Sequence, residues 1–141
     1  MQTIHDFIKK HKVRMSCRHA ASNPHMNDSS MSHYRCTLTC GKKRMTTTFS
    51  HGSAHGGKTP DVANVLSTLA LDASGFENNS SIEEWAREYG YDSDDGGYDR
   101  GGPSNLREGK KIFNAVKKQT AALKNLVGDA YEELLYNTES L

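Results

Sequence analysis

Apolar side chains recur with two different periods along this chain, and the change of period divides it. Ile4, Phe7 and Ile8 fall at i, i+3 and i+4, followed by Lys9 and Lys10. That spacing predicts a short amphipathic helix with cations at its C-terminal end, where the helix dipole favours them. From Val13 the period drops to two. Val13, Met15 and Cys17 alternate with Arg14, Ser16 and Arg18. Tyr34, Cys36, Leu38 and Cys40 then alternate with Arg35, Thr37 and Thr39. After a tight turn at Gly41-Lys42-Lys43, Met45, Thr47 and Phe49 alternate with Arg44, Thr46 and Thr48. Successive strand residues point to opposite faces, so each segment predicts a strand with one buried face. The three strands make one small antiparallel sheet, two of them as a Thr-rich hairpin.

Beyond residue 58 the period returns to that of a helix. Thr59, Pro60 and Asp61 read as cap, first position and first turn of a helix whose stripe is Val62, Val65, Leu66, Leu69, Ala70 and Ala73. Ser74-Gly75 reads as its end. Ser81-Ile82-Glu83-Glu84 is a capping box opening a second helix, with Ile82, Trp85, Ala86 and Tyr89 on one face and Gly90 as its stop. Pro103-Ser104 opens the longest helix, to about Leu126, and Gly128 separates it from a short last one carrying Tyr131, Leu134 and Leu135. Residues 20–32 and 91–103 read as long loops, and His51 to Lys58 as irregular. Strands in one run and helices in another predict an α+β fold: a small three-stranded antiparallel sheet with helices packed on one face. A chain of 141 residues fits a single domain, 1–141, with a basic helix-plus-sheet part at 1–58 and an acidic helical part at 59–141.

Charge sharpens that division. Residues 1–60 carry ten Lys and Arg against two acids, a formal +8, and residues 61–141 carry eight against fifteen, a formal −7. All seven histidines also fall in the first 60 residues. Such asymmetry points to a charged partner or to two halves that attract each other. Apolar residues make up 35% of the chain, and no apolar run approaches the roughly 20 residues that span a bilayer. The first residues lack a signal-peptide pattern. These readings predict a cytoplasmic protein with no membrane partner. The cysteines, Cys17, Cys36 and Cys40, are odd in number and sit at apolar strand positions. They are expected to be reduced, buried and metal-free.

The outward parity of the strands gathers the candidate site. Arg14, Arg18, Arg35 and Arg44 share one face with Ser and Thr, and Lys42 and Lys43 stand at the turn. Arg and Thr rows hold phosphates through charge-assisted bonds and hydroxyl contacts, and serve equally well against an acidic protein. The face carries no aromatic residue, which argues against a base-stacking platform. A second candidate surface is the acidic loop with Tyr91, Asp92, Asp94 and Asp95. Cys36-x3-Cys40 is not the usual zinc-turn spacing, and no phosphate-binding P-loop is present. Asp92, Asp94 and Gly97 begin like a calcium loop, but Pro103 stands where its closing Glu is needed. No serine-hydrolase elbow, zinc-protease helix or kinase element occurs, so the expectation is a protein that is not an enzyme and uses no cofactor.

The segment from Trp85 to Asp94, the hairpin from Tyr34 to Ser50, Gly52-Ser53-Ala54-His55 and the helix around Ile112 to Leu126 resemble a family of small bacteriophage- and prophage-encoded proteins. Relative to that family, Asp95 to Ser104 looks like an insertion. The resemblance implies a phage accessory protein of the host bacterial cytoplasm that acts by binding. The expected function is a non-enzymatic, anti-CRISPR-like inhibitor of a host defence complex, with a host protein or nucleoprotein as partner. The alternative is a small DNA- or RNA-binding phage protein using the basic face of its sheet.

Overall fold

A computed structural model of the chain describes residues 1–21, 31–52, 59–78 and 103–140. In chain order the elements are β1 (Gln2–Thr3), α1 (Ile4–His11), β2 (Val13–Ala21), β3 (Met31–Cys40), β4 (Lys43–Gly52), α2 (Val62–Glu77), α3 (Pro103–Val127), a single 3-10 turn (Gly128–Ala130), α4 (Tyr131–Tyr136) and β5 (Thr138–Glu139). The fold is α+β. Strands β2, β3 and β4 form an antiparallel sheet in that order, and α1, α2 and α3 pack on its apolar face.

Helix α1 starts where Thr3 and Asp6 cap each other: the Asp6 N–H donates to Thr3 Oγ1 at 3.1 Å, and the Thr3 N–H donates to Asp6 Oδ2 at 3.2 Å. It ends at Lys12, which takes the left-handed conformation at φ 55° and turns the chain into β2. Ile4 and Phe7 are buried, as the spacing predicts.

The strands keep the predicted parity but run longer. Val13, Tyr34, Cys36, Leu38 and Met45 are buried, whereas Arg14, Ser16, Arg18, Arg35, Arg44, Thr46 and Thr48 are exposed. Ala20, Ala21, Met31 and Ser32 belong to strands and not to the expected loop, because Met31 pairs with Gly52 and Ser32 with His51. That pairing also draws His51 and Gly52 out of the segment expected to be irregular. Residues 22–30 lie outside the described residues.

Helix α2 is the centre of the core. Val65, Leu66, Leu69, Ala70 and Ala73 are buried against α1, α3, α4 and β2. Its cap is Asp61, not Thr59. A cap at Thr59 would face Val62 three residues on, whereas Asp61 faces Asn64, and the two bond reciprocally at 2.9 and 3.2 Å. The helix also passes Ser74-Gly75 to end at Glu77, and Phe76 packs on Phe113 of α3 at 5.3 Å. Helix α3 buries Thr120, Leu123, Leu126 and Val127. Gly128 then adopts φ +56°, the left-handed turn that suits glycine, and leads into α4, which buries Tyr131 and Leu134.

One pairing has no sequence signal. Strands β1 and β5 are parallel, with Gln2 opposite Thr138 and Thr3 opposite Glu139. Glu133 secures this corner: Gln2 Nε2 donates to its Oε2, and Lys10 Nζ and His11 Nε2 each lie 3.1 Å from the same oxygen. These bonds, that of Gln2 first and His11 second, hold the Glu133 carboxyl down to about 2.

Candidate functional site: the outer face of the sheet

Register converts parity into geometry. Arg14 stands opposite Thr39, which stands opposite Arg44. The next row is Ser16, Thr37 and Thr46, and the third is Arg18, Arg35 and Thr48. Four arginines therefore surround a central row of hydroxyls. With strands about 4.8 Å apart and about 3.4 Å per residue, the face measures about 10 Å across and about 14 Å along. Thr37 Oγ1 and Thr46 Oγ1 lie 3.2 Å apart, close enough for a hydrogen bond across the strands. Among the described residues, the ion pairs are those of Lys10 and His11 with Glu133, so no carboxylate neutralises any of the four arginines.

Arg18 and Arg35 are directly opposite each other. Like charges in that position repel, a cost of some tenths of a kcal/mol up to about 1. The pair lines an open depression of about 450 Å³ together with Ser16, Cys17, Thr37 and Thr46. Lys42 is exposed in the β3–β4 turn, as expected. Lys43 is exposed too, but it pairs with Cys40 and so sits on the core parity at the end of the sheet.

The cysteines depart from expectation. Cys17 and Cys36 are joined by a disulfide, and Cys40 is free. Register explains the bond: Cys17 is the residue opposite Cys36, with Cα atoms 4.1 Å apart. Cys40 pairs with Val13, and its thiol donates to the His11 carbonyl at 3.5 Å. An odd count allows one bridge and one free thiol, and parity had already placed Cys17 and Cys36 on one face. The short Cα separation marks a non-hydrogen-bonded pair, so the adjoining pair, Arg18 and Arg35, is the wider hydrogen-bonded kind. The disulfide thus fixes the strands one residue away from both arginines.

Tyr91, Asp92, Asp94 and Asp95, with the helix expected at 81–90, lie outside the described residues. A second concavity, for which the sequence carries no periodic signal, is lined by Glu77, Lys124, Asp129, Tyr131, Glu132 and Tyr136. There the Tyr131 hydroxyl donates to Glu77 Oε2 at 3.3 Å, and Lys124 Nζ sits 5.3 Å from the ring centroid. Burial, then the Glu77 charge, raises the Tyr131 hydroxyl well above its ordinary value. With three carboxylates against one lysine this concavity is acidic, opposite in sign to the sheet face.

Fold and surface together define an α+β chain with a basic sheet face whose arginine and hydroxyl rows hold no aromatic side chain. No family model, curated protein or solved structure matches it. Among the described residues, no helix is long and apolar enough to cross a membrane.

Proposed function

We propose that this chain acts by binding, and that the outer face of the β2–β3–β4 sheet is its interface with the phosphate backbone of a nucleic acid. The observation that carries this reading is the set of arginines Arg14, Arg18, Arg35 and Arg44 around Ser16, Thr37 and Thr46, without a carboxylate partner among the described residues. Guanidinium groups bond phosphate oxygens bidentately and hydroxyls complete the contacts. The three rows from Arg14 to Thr48 carry no aromatic side chain, so binding there is through the backbone and is insensitive to base sequence.

The test is fluorescence anisotropy with random-sequence DNA and RNA over a salt series. Affinity should fall steeply with salt, with a log–log slope of roughly −0.9 per duplex phosphate engaged, or roughly −0.7 per single-strand phosphate. Replacing one arginine with Gln should lower that slope by about one contact. Absence of salt-dependent binding sinks the reading.

A second reading, the phage-encoded inhibitor of a host defence complex, draws on the formal −7 of residues 61–141 and on the resemblance of the chain to phage proteins. It predicts weak binding to random nucleic acid and tight, arginine-dependent binding to a purified nucleoprotein defence complex.

A further inference from the structure

We infer that the depression between Arg18 and Arg35 is a subsite for a terminal phosphate, the monoester end of a nucleic-acid strand, and not simply one more contact to internal diesters. This rests on reading the outer face as a nucleic-acid interface. Three observations converge on it.

First, the charge is concentrated. Arg18 and Arg35 are opposite partners in the β2–β3 ladder, both are exposed, and neither bonds a carboxylate among the described residues. The remaining arginines, Arg14 and Arg44, are at the other end of the face, four residues along β2 and β4. An internal phosphodiester carries one negative charge. A phosphomonoester carries about −1.5 to −2 near neutral pH. Two adjacent guanidiniums match the second and exceed the first.

Second, the donors suffice in number. Ser16, Thr37 and Thr46 line the same depression as the two arginines. A terminal phosphate offers three strong acceptor oxygens, whereas an internal diester offers two unesterified ones. One threonine hydroxyl donates to the other, which leaves two hydroxyl donors, and these with two guanidinium forks can serve the larger set.

Third, the backbone is fixed where the subsite needs it. The Cys17–Cys36 disulfide joins the residues that adjoin Arg18 and Arg35. It holds together two strands whose facing arginines repel in the absence of an anion. A dianion placed between them converts that repulsion into attraction on both sides.

The experiment uses the full chain in its oxidised form and short oligonucleotides of one sequence bearing a 5′-phosphate, a 3′-phosphate or hydroxyls at both ends. Anisotropy at fixed salt should show at least about tenfold tighter binding of one phosphorylated end than of the hydroxyl form, the scale of an added charge-assisted bond. Arg18→Gln and Arg35→Gln should each abolish that preference. Arg14→Gln and Arg44→Gln should weaken all three oligonucleotides alike and leave the preference standing. Equal affinity for the three overturns the subsite while leaving the interface intact. Binding to none of them overturns the interface itself. Competition by inorganic phosphate or a phosphoserine peptide as strong as that by the phosphorylated oligonucleotide also overturns the assignment to a strand end.

Discussion

Arg18 and Arg35 face each other across the β2–β3 ladder with no carboxylate bonded to either among the described residues. A pairing that costs folding free energy is tolerated where it serves something other than folding. Arg35→Glu should therefore raise stability, by some tenths to about 1 kcal/mol, because it replaces like charges with opposite ones. The same substitution should strongly weaken nucleic-acid binding. Thermal unfolding and anisotropy on one sample read both effects. A lower Tm in the variant would show that Arg35 contributes to folding in a way the register does not reveal.

The disulfide gives a second prediction. Under non-reducing conditions the denatured chain should show one titratable thiol, Cys40, and three after reduction. Cys17 and Cys36 are 19 residues apart in sequence, a loop whose closure is worth about 3 kcal/mol in the chain-entropy description. The double replacement Cys17→Ala with Cys36→Ala should cost about that much in urea unfolding, with Cys36 adding a packing loss because it is fully buried. Three free thiols in protein purified without reductant would exclude the bridge.

Glu133 sets an acid limit. Its carboxyl is held down to about 2, below its ordinary 4.5, chiefly by the bonds from Gln2 and His11. A carboxylate with a depressed folded-state pKa adds stability above its unfolded value and loses it as pH falls toward the folded value. Wild-type Tm should thus decline between about pH 4.5 and 2 in part through this group. Glu133→Gln should lower Tm at neutral pH and flatten that decline. Parallel pH profiles of the two proteins would remove Glu133 from the acid response.

Thr120 lies 5% exposed in α3, and its hydroxyl has no hydrogen-bond partner among the described residues. An unpaired buried hydroxyl costs about 1–3 kcal/mol, and an apolar group of the same shape removes that cost. Thr120→Val should raise stability by about 1 kcal/mol in urea unfolding. A destabilised variant would mean that the hydroxyl is bonded in solution.

The faces of the sheet were legible in the sequence because alternation is strictly local: Arg14, Arg35 and Arg44 each reveal their side from their immediate neighbours. Their mutual alignment was not. Register depends on how many residues β2 and β3 spend before and after residues 22–30, and nothing in those residues fixes it. The disulfide and the Arg18–Arg35 pair follow from register alone, so both stayed hidden. Thr59-Pro60 imitates a helix opening two residues before the true cap of α2, Asp61, and the decisive feature is Asn64, three residues beyond that cap. The Glu133 cluster joins groups more than 120 residues apart, which no periodicity can register.

The parallel pairing of β1 with β5 has a mechanical consequence. Gln2 lies beside Thr138 and Thr3 beside Glu139, with both strands running the same way. Tension applied through the two ends of the described chain pulls Gln2 backward along one strand and Glu139 forward along the other. The pair is then loaded in shear, so its bonds and the Gln2–Glu133 contact bear the force together instead of parting one at a time. This corner therefore lies in the load path ahead of the sheet that carries the arginine face.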